Sequence, residues 1–259
     1  MLTPTWTQFR IGPLLRGETD LKHYSNLFVA GYGEVTGVKK LLIQAGSRRQ
    51  NEDQDCGLIT THGRPIVKVF VGEQDRFLQL NGWHEFISAE LRAITRPQWI
   101  AAVDQIKEFA IGMHVRMGDF VEGHADPNYP HRRVPHSWFA ESLKALRRTV
   151  GYPVRAIVVS DGKESELCEL LDQEQVSLVR TGSAIGDLLV LSNSKVLIGS
   201  AGSSFSAWAA FLGQMPSIAH PSHSFDWFNL LNQNNYYVGG ADPANVPELF
   251  IEQVKKIFG

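Results

Sequence analysis

The sequence predicts an α/β protein built on a parallel sheet with helices on both faces. Its 259 residues are 43% hydrophobic and 20% charged, the composition of an ordinary soluble globular chain forming one large domain or two modest ones. From about residue 110 onward, short apolar runs alternate with stretches whose apolar residues recur at helical spacing. Strands and helices that alternate in this way form parallel sheets buried on both sides.

Before residue 110 the pattern is less regular. Val38–Ala45, Ile66–Val71 and Phe77–Leu80 are expected as short strands, Asn51–Asp55 as a polar loop and Trp99–Phe109 as an amphipathic helix, with Arg96-Pro97 closing the segment before it. Ala110–Arg116 is a compact apolar strand, followed by a polar loop from Met117 to His136. Phe139, Leu143 and Leu146 mark a helix over Ser137–Thr149. Val154–Val159 is the next strand, followed by a short helix over Ser165–Asp172, an edge strand at Val176–Val179 and a helix over Ala184–Ser192. The strand Lys195–Gly199, the helix Ser203–Leu212, a last short strand at Ser217–Ala219 and a terminal helix over Val246–Phe258 complete the series. The expected division is an amino-terminal lobe over 1–109 and a Rossmann-like lobe over 110–259.

Composition excludes several function classes. With 25 Lys+Arg against 27 Asp+Glu the net charge is −2, so the molecule offers no overall cationic field for nucleic acid. Cys56 and Cys168 have neither CxxC nor metal-ligand spacing and fit a reduced compartment. Met1–Trp6 lacks the basic and apolar regions of a signal peptide, which points to a cytoplasmic protein. Val196–Phe225 carries no Asp, Glu, Lys or Arg, but seven serines with glycines and prolines interrupt it, so it reads as strand, loop and helix and not as a membrane span. Peripheral contact with a membrane remains open.

The residues with chemical potential cluster at strand ends. His114-Val-Arg-Met-Gly-Asp119 closes a predicted strand, where ligands of open α/β sheets bind. Alternation along the strand puts His114 and Arg116 on one face. Arg116 suits paired hydrogen bonds to a phosphoryl or carboxylate group, and Asp119 suits orienting it. A buried Arg116–Asp119 ion pair accounts for the same residues equally well. Ser200-Ala-Gly-Ser-Ser-Phe-Ser206 follows a strand and opens a helix, so Ser203, Ser204 and the first-turn amides can receive anionic oxygens, or the serines can simply cap the helix. Asp187 lies near another helix start, suited to the helix dipole or to a base or sugar. Ser160-Asp161-Gly162 reads as a turn bordering the ligand. No HExxH, GKS/GKT or G-x-S-x-G pattern occurs, and His131, His136, His220 and His223 are too scattered for a metal site.

In these residues the chain resembles the fucosyltransferase superfamily, and within it the alpha-1,2-fucosyltransferase family. The matching segments are His114–Asp119 for H-x-R-x-G-D, Asp187-Leu-Leu-Val-Leu-Ser192 for D-L-x-x-M-S, and Ser203–Leu212 for S-x-F-S-x-W-x-A-x-L. The resemblance implies a GT-B-like pair of lobes and inverting transfer from GDP-fucose to a carbohydrate acceptor; no metal cofactor is expected, since cationic side chains can take its role. In that scheme Arg116 binds the diphosphate, His114 lines the pocket, Asp187 meets the guanosine, Ser203 and Ser204 hold phosphate, and the 1–109 lobe is the acceptor side. Candidate bases are Asp119, Glu122, His124 and Asp126. Two departures stand out: Met117 replaces the family's second arginine, and the amino-terminal G-G-x-G-N segment is reduced to an echo at Tyr24–Phe28. The alternatives are therefore a nucleotide-sugar or glycan-binding chain without transfer activity, a transferase for another nucleotide sugar, or an interaction domain.

Overall fold

The computed structural model describes residues 27–29, 35, 37–51, 66–69, 77, 80–118, 133–200, 202–222, 235–240 and 246–259. Asp119, Glu122, His124 and Asp126 lie outside them, as do Tyr24, Ser25, Asn26, Cys56, His131 and His223.

The amino-terminal part contains helix α1 (Gly37–Gly46), strands β1 (Arg48–Asn51) and β2 (Ile66–Val69), and helices α2 (His84–Ile94) and α3 (Pro97–Asp104). β1 and β2 pair in parallel, with Arg48 opposite Ile66. Three expectations need correction here. Val38–Ala45 is helical and not a strand: its apolar positions 38, 41, 42 and 45 follow the helical period, and Lys, Leu, Gln and Ala are strong helix formers. Phe77 and Leu80 belong to a tight turn, with Phe77 at φ 61° and its carbonyl accepting from the Leu80 amide at 2.9 Å. Pro97 opens α3 as its first residue, where its missing N–H costs nothing, and this helix stops at Asp104, short of Phe109.

The remainder follows the predicted rhythm: β3 (Ile111–Val115), α4 (His136–Val150), β4 (Ala156–Ser160), α5 (Cys168–Leu171), β5 (Val176–Leu178), α6 (Ala184–Ser192), β6 (Val196–Gly199), α7 (Ser204–Gly213), β7 (Ser217–Ala219), β8 (Tyr236–Val238) and α8 (Glu248–Phe258). β8 was not anticipated. The six strands β3–β8 form one parallel sheet in the order β5-β4-β3-β6-β7-β8. The chain starts in the middle, builds outward through β4 and β5, then crosses back to build β6, β7 and β8 on the other side. This is the doubly wound order of nucleotide-binding folds, with its topological switch between β3 and β6.

Alternation along the strands divides the core. Ile111, Met113 and Val158 face Phe139 and Leu143 of α4 and Phe250 and Val254 of α8. Ile157, Val159 and Leu197 face Leu189 of α6, Ala209 of α7 and Val103 of α3. β3, β4 and β6 are buried at every position, which is why they read as continuous apolar runs. α3 packs on α6 and α2 on α7, so the last helices before residue 109 lie against the helical layer of the Rossmann-like sheet. Val196–Phe225 begins as strand, turn, helix and strand through Ala219, and no described helix is long and apolar enough to cross a membrane.

Gly112 sets the approach of the chain around Ser194 to β3, since a Cβ there would lie 2.2 Å from Ser194 Oγ. Gly112→Ala should destabilise the fold by about 1–3 kcal/mol in urea unfolding. Adding Ser194→Ala removes the clashing atom, and the double variant should recover part of that loss.

Candidate functional site

A strand that ends at a switch point has polar backbone groups without ladder partners, and side chains from both neighbours satisfy them here. On the β6 side, the Ser200 hydroxyl donates to the His114 carbonyl at 2.8 Å and accepts from the Arg116 amide at 2.9 Å. On the β4 side, the Ser160 hydroxyl donates to the Val115 carbonyl at 2.6 Å and accepts from the Gly162 amide at 3.0 Å. The Asp161 carboxylate then takes the amides of Met117 at 2.8 Å and Gly118 at 3.2 Å. It also forms an ion pair with the Arg116 guanidinium. Gly118 is required by this approach, because a Cβ would lie 2.6 Å from Asp161 Oδ2.

Asp161 is a partner of Arg116 that the sequence reading missed; Asp119, expected to orient the same guanidinium, lies outside the described residues. The register carries the missing signal. Val115 is opposite Ser160, so the next residue on each strand brings Arg116 beside Asp161. The pair is largely buried, with side-chain exposures of 18% and 17%, which favours a fixed guanidinium over a solvated one. A guanidinium offers five N–H donors, and Asp161 engages Nη1.

His114 lies beneath this turn. Its Nδ1 is 2.7 Å from Ser206 Oγ, and its ring sits against Phe205 with centroids 4.8 Å apart. Burial holds its pKa down at about 4; the Asp161 charge opposes this and the Arg116 charge reinforces it. The imidazole is therefore neutral at neutral pH and adds no second cation beside Arg116.

The predicted turn from β6 into α7 is also in place. Gly202 adopts φ 65°, a conformation open to glycine, and Ser203 caps α7, accepting from the Ser206 amide at 3.5 Å. Ser203 is buried and Ser204 is exposed. Ser206 links the two halves of the site, since its amide meets Ser203 and its hydroxyl meets His114.

Asp187 sits in the first turn of α6, but Ser183 caps that helix. Asp187 Oδ1 accepts from the amide and hydroxyl of Thr181, each at 2.8 Å. Burial pushes its pKa up, against those hydrogen bonds and the charge of Arg180. Arg180 donates to the Gly162 carbonyl at 2.6 Å, and Arg133 donates to the Met117 carbonyl at 3.0 Å, so two further guanidinium groups brace the Asp161 turn. The Met117 side chain itself is 4% exposed and belongs to the core. Among the described residues no cluster of His, Cys, Asp or Glu could hold a metal ion.

Comparison with known proteins shows the family of the chain. The profile of glycosyl transferase family 11 matches residues 68–238, about two-thirds of the chain, including Arg116, Asp161, Asp187 and Ser203. The chain belongs to glycosyl transferase family 11. This family 11 assignment bears out the resemblance to the alpha-1,2-fucosyltransferases. No curated protein gives a significant sequence match. Among solved structures, that of the E. coli ADP-heptose LPS heptosyltransferase II is similar at 16% identity with a TM-score of 0.39, covering 64% of this chain and 52% of that one. The family 11 chain thus spans about half the length of that structure.

Two outcomes test the geometry. Asp161→Ala strips two amides and a guanidinium of their acceptor and should cost about 2–4 kcal/mol in urea unfolding, with Asp161→Asn costing less. A histidine held neutral contributes stability that is present above its unfolded value near 6.5 and lost as pH falls toward about 4. His114→Gln should remove that part of the acid dependence, roughly 3 kcal/mol between those pH values, in melts of both proteins.

Proposed function

We propose that the protein transfers fucose from GDP-fucose to a hydroxyl of a glycan with inversion, in the manner of an alpha-1,2-fucosyltransferase. The observation that supports this reading is the contact of the Arg116 backbone with Ser200, just before the turn into α7, across the β3/β6 switch point of a family 11 chain. That crevice suits a nucleoside diphosphate.

As the bond between fucose C1 and the β-phosphate oxygen breaks, negative charge grows on the leaving GDP. Arg116, fixed by Asp161, and the amides and hydroxyls around Ser203 and Ser204 stabilise that charge without reorganising. Asp161 leaves the phosphates undisturbed because Arg116 and two amides already compensate its charge. His114 lines the pocket as a neutral imidazole, and Asp187 meets the guanosine through its carboxylate. The acceptor hydroxyl attacks C1 from the opposite face and passes its proton to a base drawn from Asp119, Glu122, His124 or Asp126. GDP leaves without a covalent enzyme intermediate. In this scheme 1–109 forms the acceptor side of a GT-B-like pair and 110–259 the donor side, and cationic side chains take the place of a metal ion.

Calorimetric titration with GDP, GDP-fucose, GDP-mannose and UDP-sugars, with and without Mg²⁺, tests the donor. Selective, metal-independent binding of GDP and GDP-fucose is expected. Binding without product over a broad acceptor panel would instead make the chain a nucleotide-sugar-binding protein. Arg116→Ala should weaken GDP binding roughly tenfold to a hundredfold and abolish turnover. Full activity in a folded Arg116→Ala protein would remove the assigned role.

A further inference from the structure

At the carboxyl end of the sheet, β5 leads into a guanidinium whose charge no carboxylate takes up. Val115 pairs with Ser160 and Val158 with Leu178, and the Val179 amide still reaches the Val158 carbonyl at 2.8 Å. Two residues beyond the paired Leu178, Arg180 therefore comes level with Ser160 of β4 and, one strand further, with Val115 of β3. Its Nη2 donates to the Gly162 carbonyl at 2.6 Å, just past the end of β4. Asp161 takes the charge of Arg116, whereas Arg180 is exposed and forms no ion pair with a described residue. A carbonyl is neutral, so the Gly162 contact positions the Arg180 guanidinium without neutralising it. That charge also acts on the Asp187 carboxylate, opposing the rise in pKa that burial imposes there.

We infer that Arg180 binds the α-phosphate of the donor nucleotide, an assignment that rests on the proposed placement of the diphosphate at Arg116 and of the guanosine at Asp187. Adjacent strands lie about 4.8 Å apart, so the ends of β3 and β5 are separated by about 10 Å across β4. A nucleoside diphosphate reaching from Arg116 to Asp187 crosses the end of β4, where Gly162 holds Arg180. The groups of GDP that join the β-phosphate to the base are the α-phosphate and the ribose. Of these the phosphate carries the charge, and a guanidinium with donors in a fixed fork favours it over neutral hydroxyls. The two arginines then divide the diphosphate, Arg116 on the β-phosphate and Arg180 on the α-phosphate.

Displacement of a fluorescent GDP analogue by guanosine, GMP and GDP tests this division in the full chain. Arg180→Ala should weaken GMP and GDP about tenfold or more and leave guanosine unchanged, while Arg116→Ala should weaken GDP and leave GMP unchanged. Arg180→Gln keeps one donor for the Gly162 carbonyl and removes the charge. It should reproduce the contrast at an unchanged melting temperature, which a role confined to bracing the turn would not do. Unchanged GMP and GDP affinity in folded Arg180→Ala and Arg180→Gln proteins would overturn the assignment and leave the donor reading standing. An equal loss for all three ligands would also overturn it, placing Arg180 at the base or in the frame of the turn. A native chain that binds no guanine nucleotide would overturn both this assignment and the donor reading beneath it.

Discussion

The end of β3 is the constraint on which the rest of the site depends. Between β4 and β6 this strand is buried at every position, and beyond Val115 its backbone turns away from both ladders. Five of the polar backbone groups from His114 to Gly118 then take partners from the flanking strand ends, and most of them are buried, where an unsatisfied group is costly. Ser200, Ser160 and Asp161 provide all five. Each stands at the end of a strand flanking β3, so the sheet order itself determines which residues can do this.

The electrostatics of the site follow from that backbone solution. Asp161 is held in place by two amides whether or not Arg116 is present, so the guanidinium meets a preformed carboxylate. The same turn covers His114 and removes its charge by desolvation. The result is a guanidinium held by Asp161 and a neutral imidazole that meets Ser206 in the first turn of α7, the helix capped by Ser203.

Much of this was legible in the sequence because parallel strands buried on both faces leave a continuous apolar signature. β3, β4 and β6 lie within a residue or two of their expected positions, as do α6, α7 and α8. Pairings across strands were harder to read. Nothing local to Asp161 announces that it meets a residue 45 positions earlier in the chain, nor does Ser206 announce His114; both contacts exist only once strand order and register are known. The amino-terminal part was misread where the two periodicities compete. Val38–Ala45 is short and apolar enough to resemble a strand, and its apolar ridge faces solvent, so core packing gave no guide.

Met117 shows how a departure from a motif changes meaning once its side chain is located. By residue type, methionine in place of arginine reads as a positive charge taken from the donor crevice. Its side chain, however, lies in the core, and a Cβ on Gly162 would come within 2.8 Å of its Cγ. A guanidinium at that position in the same orientation would be buried among apolar core side chains, at a cost well above that of an apolar side chain. Met117 and Gly162 therefore fit each other as a packing pair. The cations around the turn come from other segments instead: Arg133 reaches the Met117 carbonyl from the start of α4, and Arg180 reaches the Gly162 carbonyl from the end of β5. Position 117 thus contributes its backbone to the site through the Asp161 and Arg133 contacts, and its side chain to the packing that holds β3 and β4 in register.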